Sequence, residues 1–390
     1  MKTAIVGGGV SGVITAIYAA RNNKDVVILE RNDKLLKKLL LTGNGRCNYF
    51  NDDQNISHYH SSIPSLLNNI IKEENINELL SFYNKLGIIP KIRDGYYYPY
   101  SNQASSVRNI LLKELEHLNI EVKLNYLVED IKIDNGFIIN NELKVDKLVL
   151  SAGSKAYPKT GSDGMGYNFL KNFNHNIVSV KPALVQLKSN SPYLKEIDGV
   201  RSDVKVSLYE DNNLLKEQTG ELQFTDYGIS GICTMNLSHL IDNNNYVLIN
   251  FVNNIDIENI IDEVNSNAPY RTIIELLEGI INYKIIRVIL KKCNINIDLK
   301  WNDLNSNQKN IFIDNLKRFR LDIIGTNDFD RSQVCSGGLS LDEIDLNTME
   351  SKKIKNLYIV GELLDIDGDC GGYNLTVAFI TGYLAGVSIW

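Results

Sequence analysis

The chain has 390 residues, 44% apolar and 23% charged, with a formal net charge of −6. That length allows two or three domains and a large buried core, while the acidic balance weighs against a protein that grips nucleic acid through its phosphates. Cys47, Cys233, Cys293, Cys335 and Cys370 are spread without any CxxC pair, a usage that suits a reducing compartment and neither a disulfide scaffold nor a zinc site.

The first strand is expected at 3–6, a helix at Ser11–Arg21 and a second strand at Val26–Leu29, a β-α-β opening. With the fold starting this early, no cleavable leader is expected and the expected location is the cytoplasm. A Gly-containing loop, Leu41–Asn51, is longer than a simple connection needs. Residues 63–86 read as two helices, Ile88–Tyr100 as extended, Ala104–Leu118 as a helix and Glu121–Leu124 as a strand. Leu127–Leu150 alternates around the turn signal Asp134-Asn135-Gly136, predicting an antiparallel meander that returns to the sheet at Lys147–Leu150.

Composition changes near Pro182. Short alternating segments (Val204–Tyr209, Leu222–Phe224, Tyr246–Val252) give way to helical spacing at Ile273–Ile281, Lys284–Lys292 and Ser306–Arg320. Extended signals return at 321–345, Leu357–Val360 is a last strand, and the apolar stretch Leu375–Trp390 is too short and too glycine-rich for a membrane span. The expected division is a split first domain, 1–183 with 335–390, around an inserted lobe, 184–334, β-rich over 184–255 and helical over 256–320.

Gly7-Gly8-Gly9-Val10-Ser11-Gly12 satisfies G-x-G-x-x-G between a strand and a helix, the context in which that pattern binds a dinucleotide. Gly7 permits the tight turn, Gly9 lets a pyrophosphate approach the backbone, Gly12 allows helix and strand to close up, and Val10 and Ser11 open the helix whose N–H groups face the phosphates. Glu30 ends the second strand at the spacing expected of a ribose-binding acid. It is expected to accept both ribose hydroxyls and to repel a 2′-phosphate. Near the C-terminus, Gly361-Glu362 ends a strand, and Gly371-Gly372-Tyr373-Asn374-Leu375 opens the last helix. This resembles flavoproteins of the glutathione-reductase type, which implies an α/β Rossmann-like domain binding FAD, with the ribityl chain at Gly361-Glu362 and the flavin at the helix N-terminus, where reduced flavin's negative charge is stabilised. Ser151-Ala152-Gly153 is the matching mid-chain turn. A second G-x-G-x-x-G, as a stable NAD domain would carry, is missing.

Longer strings narrow the resemblance. Thr42-Gly43-Asn44-Gly45-Arg46-Cys47-Asn48, Thr160–Tyr167, Gly228–Gly231 and the run from Gly337-Gly338 to Leu375 resemble the bacterial flavoprotein family that includes aminoacetone oxidase and 3-dehydro-bile-acid reductases. Cys335 departs from the family's usual Thr-x-Gly-Gly, so a backbone role for Gly337 and Gly338 is the firmer expectation.

Other residues have two readings. Arg46, with Arg31 and Lys38, is read toward FAD, or else Arg46 ties its loop to a carboxylate. Cys47 and Cys370 are redox thiols or, more simply, small packing groups. Tyr96–Tyr100 is read as a half-buried strand rather than an aromatic pocket, with Ser101 capping the next helix. His58, His60, His117, His175 and His239 fall at no metal-ligand spacing, and no metal is expected. His58 and His60 are read as surface residues.

The expected function is an FAD-dependent oxidoreductase that moves hydride between flavin and a small organic substrate, as an NAD(P)H-linked reductase or an oxygen-using amine oxidase. No catalytic acid or base is singled out, and neither nucleic acid nor membrane is an expected partner. The alternatives are a flavin-dependent RNA-modifying enzyme and a non-catalytic flavin-binding protein.

Overall fold

The computed structural model describes residues 1–389. The chain forms two compact units, one of Met1–Pro182 with the chain from Ser332 onward, the other of Ala183–Arg331.

The first unit is built on a five-stranded parallel sheet. Its strands are β1 (Lys2–Val6), β2 (Asp25–Leu29), β3 (Glu121–Lys123), β4 (Lys147–Leu150) and β5 (Leu357–Ile359), in the spatial order β5-β4-β1-β2-β3. The chain goes from β1 to β2 on one side and later returns to β4 on the other. The switch point therefore lies at the C-terminal ends of β1 and β4, where ligands of open α/β sheets bind.

Helix α1 (Val10–Arg21) follows β1 and is buried continuously from Val10 to Ala19. It is covered by the C-terminal helix, Tyr373–Ser388, itself buried on most sides. The two approach closely because of glycine: a Cβ on Gly382 would sit 2.5 Å from the Ser11 carbonyl oxygen, and one on Gly386 2.7 Å from the Tyr18 Cβ. Thr15 Oγ1 donates across the seam to the Gly382 carbonyl at 3.0 Å. Thr376, Thr381, Gly382 and Gly386 are thus core and helix-contact residues. Among the described residues no helix is long and apolar enough to cross a membrane.

The meander expected after residue 127 is a separate antiparallel sheet, Ile131–Ile133, Phe137–Ile139 and Leu143–Val145. Its turn uses Asn135 at φ 44° and Gly136 at φ 126°. Two expectations here were too helical or misplaced. Residues 64–69 form a 3-10 helix opened by Pro64, and only Glu73–Lys85 is an α-helix. Ser101 caps nothing: the following helix is Ala104–His117, with Gln103 at its N-cap and no side-chain cap.

The second unit has its own apolar core and a seven-stranded antiparallel sheet ordered 319–322, 245–250, 201–210, 213–225, 228–230, 187–188, 325–326. Val204, Val206 and Leu208 point alternately inward, the period-2 pattern of a half-buried strand. Five α-helices, Ile232–Met235, Ile257–Asn267, Ile273–Leu277, Tyr283–Lys292 and Ser306–Lys317, complete it. The last stops before the Arg320 expected from spacing. Phe319 and Leu321 alternate into the core as a strand paired with Asn245–Asn250, and burial of the two rows outweighs helix continuation.

Candidate active site

The loops after β1, β4 and β5 converge at the switch point. Gly7 has φ 107°, and a Cβ there would sit 2.4 Å from the Ser151 carbonyl oxygen; one on Gly12 would sit 2.2 Å from the Gly7 oxygen. A side chain at either position would push β1, α1 and the turn after β4 apart. Gly361 has φ 69°, a Cβ there would sit 2.4 Å from Ser11 Oγ, and its N–H donates to Thr381 Oγ1 at 3.0 Å. Gly9 differs: a Cβ there meets nothing within 4 Å. It is the N-cap of α1 and supplies no side-chain cap, so the helix's first N–H groups face open space at its positive end. This arrangement suits a diphosphate.

Glu30 is buried at the end of β2. Its Oε2 accepts from Gly8 N at 2.7 Å, and its Oε1 accepts from Asn32 N at 2.8 Å and Asn32 Nδ2 at 2.7 Å. A carboxylate has about four acceptor sites, so about one remains open. The chain's own donors hold the other three. Arg31 is exposed and pairs with Asp163 through one guanidinium nitrogen.

Lys38 Nζ lies 2.6 and 2.9 Å from the two oxygens of Glu362, and Ser154 Oγ donates to the same carboxylate at 2.8 Å. The ion pair links the loop after β2 to the loop after β5. Between them, Thr42–Asn48 closes on itself: Gly45 N and Cys47 N both donate to the Thr42 carbonyl, and Gly43, Asn44, Gly45 and Cys47 all have positive φ. Arg46 donates from Nε to the Gly43 carbonyl and lies over the Tyr98 ring, its Cζ 5.4 Å from the centroid. It pairs with no carboxylate among the described residues. Asn48 Oδ1 is buried without a hydrogen-bond partner, an acceptor that calls for an outside donor. Ala152 and Gly153 line the turn after β4, Gly153 at φ 74° with no room for a Cβ beside Ser162.

The C-terminal helix begins at a Gly371-Gly372 turn, with Gly372 at φ 101° and its would-be Cβ 2.7 Å from Phe50 backbone atoms. The Tyr373 ring is buried. Asn374 spends its side chain on the turn itself, accepting from Gly368 N at 2.9 Å and donating to Gly368 O at 2.7 Å. What Gly372, Tyr373, Asn374 and Leu375 offer a ligand is therefore backbone N–H. Farther back, Gly337 and Gly338 have the expected backbone role, with would-be Cβ atoms 2.2 Å from the Ser179 carbonyl oxygen and 2.7 Å from that of Leu363.

The sequence reading passed over one group of residues. Asp365, Asp367 and Asp369 are all buried and project from an extended segment whose central residues, Asp367–Gly368, pair antiparallel with Tyr59–His60. Across this pairing Asp365 accepts from Ser61 Oγ at 3.2 Å and Ser62 N at 2.9 Å, His60 Nδ1 lies 3.2 Å from Asp367, and His58 Nδ1 lies 3.0 Å from Asp369. His58 and His60, expected at the surface, are thus partly buried partners of acids. The signal was present: Asp at every second position, matched in reverse order by Ser61, His60 and His58. Burial raises Asp367 above the usual carboxylate range. Burial disfavours protonated His58, but its bonds to Asp369 and Asp53 outweigh this and raise its pKa. Burial pushes the Cys47 and Cys370 thiols up to about 12. None of the five cysteines is in a disulfide, and the raised thiols supply no ready thiolate for redox work.

The model of the HI0933-like protein Rossmann domain matches residues 1–388. The chain belongs to this family. Among HI0933-like relatives, it is 38% identical to a 3-dehydro-bile acid delta(4,6)-reductase of Clostridium scindens, over 99% of this chain and 98% of that one. It is 25% identical to a ribosomal RNA dihydrouridine synthase of Escherichia coli, over 97% and 95%. A 3-ketosteroid-delta4-(5alpha)-dehydrogenase from Rhodococcus jostii shares the fold, with a TM-score of 0.51 at 14% identity, over 99% of this chain and 96% of that one. As a member of the HI0933-like family the protein is an FAD-dependent oxidoreductase, and the open, uncapped start of α1 and the partnerless Asn48 oxygen suit that cofactor.

Proposed function

We propose that this protein is a reductase that saturates a carbon–carbon double bond conjugated to a carbonyl in a small, largely apolar, steroid-like molecule. The observation that carries this reading is the 38% identity, end to end, with a delta(4,6)-reductase. The dihydrouridine synthase relatives also bear a name that describes adding hydrogen across a double bond, so the chemistry is common ground and the substrate is what differs. The lower identity of those relatives and the net charge of −6 favour the small molecule over RNA.

FAD, when bound, supplies the hydride chemistry. In this reading the N–H groups of Gly9, Val10, Ser11 and Gly12 hold its diphosphate and Glu30 accepts from one ribose hydroxyl. Ala152-Gly153 and Gly361-Glu362 line the middle of the cofactor, with Lys38 keeping Glu362 neutralised. Thr42–Asn48 covers it, Asn48 Oδ1 accepting a hydrogen bond from the ligand. The backbone of Gly371, Gly372, Tyr373, Asn374 and Leu375 turns N–H groups toward the flavin, where negative charge grows on reduction. Arg31 pairs with Asp163 through one guanidinium nitrogen, and its other N–H donors face the cofactor in this reading. The electron donor is proposed to be NADH or NADPH, bound transiently since the sequence has no second dinucleotide motif.

The test is an anaerobic one in two halves. NADH or NADPH should bleach the oxidised-flavin band, and a 4,6-dien-3-one steroid acid should restore it with a product heavier by two hydrogens. If conjugated enones leave the band bleached while ribosomal RNA restores it, the RNA reading replaces this one. Should amines bleach the band and release peroxide in air, the reductase reading falls.

A further inference from the structure

Between Asp369 and Tyr373 lie only Cys370, Gly371 and Gly372, and His58 touches both ends of that span. Its Nδ1 is 3.0 Å from Asp369 Oδ2, its carbonyl accepts from Asp369 N at 2.9 Å, and its ring lies nearly parallel to that of Tyr373, centroids 4.8 Å apart at 17°. The outer nitrogen, Nε2, is 3.0 Å from Asp53. Two successive glycines form the loosest backbone in a chain. The turn they make is confined on one side by Phe50 and Asn51, and the imidazole holds its two ends together.

We propose that His58 is a positioning residue for the cofactor: by clamping the Gly371–Gly372 turn from both ends it fixes the helix N-terminus that faces the flavin, and its protonation sets how firmly FAD is retained. The inference rests on the placement of the flavin end proposed above.

A carboxylate stands at each ring nitrogen, and only the imidazolium donates at both. Around His58 the titratable groups are Asp53, Asp369 and Tyr373, with His60 sharing Asp369 at 3.6 Å and with Tyr96 and Cys370 close by. Asp53 is held below its usual range, first by the Asn55 N–H and then by His58, so it remains an acceptor. The pKa of His58 is raised in the fold. The clamp is therefore complete below the ordinary histidine value, near 6.5, and loosens as pH rises through the higher folded value. FAD should be held most tightly on the acid side of that transition.

The experiment compares full-length wild type, His58→Ala, His58→Gln and Glu30→Arg. FAD dissociation constants are measured from pH 5.5 to 9, with hydrogen exchange of the 371–374 amides before and after FAD addition. Losing a charge-assisted bond should weaken FAD retention about tenfold in His58→Ala. Exchange at 371–374 should quicken even without FAD. His58→Gln, a donor that does not titrate, should recover part of the affinity and lose the pH dependence. Should His58→Ala fail to fold, the glutamine variant alone decides by its pH profile. Wild-type affinity, pH slope and exchange in the variants would overturn the clamp. Glu30→Arg distinguishes the two levels: if it keeps FAD like wild type, the cofactor placement is wrong whatever His58 does, whereas if it loses FAD while the His58 variants do not, only the clamp fails.

Discussion

The two ends of the proposed cofactor site are built by different means. At the adenosine end one contiguous stretch, Gly7 to Glu30, supplies the strand, the turn, the helix start and the acid, and its fit depends on the absence of side chains. At the proposed flavin end the pieces are held by residues from elsewhere in the chain: Phe50 behind Gly372 and His58 against Asp369 and Tyr373 at the helix start, and Lys38 against Glu362 in the loop after β5. A site made by one local segment tolerates change everywhere except in that segment. A site assembled from four segments can be loosened from any of them.

The largest effect should come from the flavin end. Gly372→Val places a β-branched residue at φ 101° against the Phe50 backbone, and should cost about 3 kcal/mol or more of stability by urea unfolding. A wild-type midpoint would mean that this turn is not confined as described. At the adenosine end, Glu30→Arg should leave the fold intact and raise the FAD dissociation constant roughly a hundredfold, since it removes the acceptor and the three bonds that organise the loop. Gly9→Ala sharpens the contrast between glycines. It meets no atom, so stability should move by less than about 1 kcal/mol while FAD affinity falls about tenfold, readable by fluorescence titration.

Smaller changes follow at the Lys38–Glu362 pair. Both side chains are about a quarter exposed, so Lys38→Met should cost no more than about 1 kcal/mol of stability and weaken FAD binding severalfold. The smallest effect belongs to the thiols. With both Cys47 and Cys370 pushed up to about 12, Cys370→Ser should leave the rate of flavin reduction within about twofold, and a larger loss would restore the thiol-redox reading.

This contrast also explains what the sequence let one read. The parallel sheet, the turn after β1 and α1 were legible because G-x-G-x-x-G is a backbone requirement, and backbone requirements leave glycines in the sequence. The helix-contact role of Gly382 and Gly386 was hidden, since a glycine in an apolar helix does not name its partner. His58 and His60 were misread because a three-residue 3-10 turn (Ile56–His58) and a two-residue strand (Tyr59–His60) carry too little periodicity to be seen. Only its pairing with the Asp365–Asp369 row, some 300 positions away, turns two polar histidines into parts of the site. Likewise, Glu30 could be named from spacing, but the count of its protein donors could not. Ser306–Arg320 was drawn too long for the same kind of reason: the strand at Phe319–Asp322 exists through its neighbour, Asn245–Asn250.

The central claim is that one FAD is gripped at both ends, with the adenosine half held by the Gly7–Glu30 segment. Parallel titrations of the cofactor-free chain with FAD and with FMN, which lacks the adenylate half, test it most directly. FAD should bind at one per chain and at least about a hundredfold more tightly than FMN, with ADP competing for the same site; equal affinities for FAD and FMN, or indifference to ADP, would contradict it.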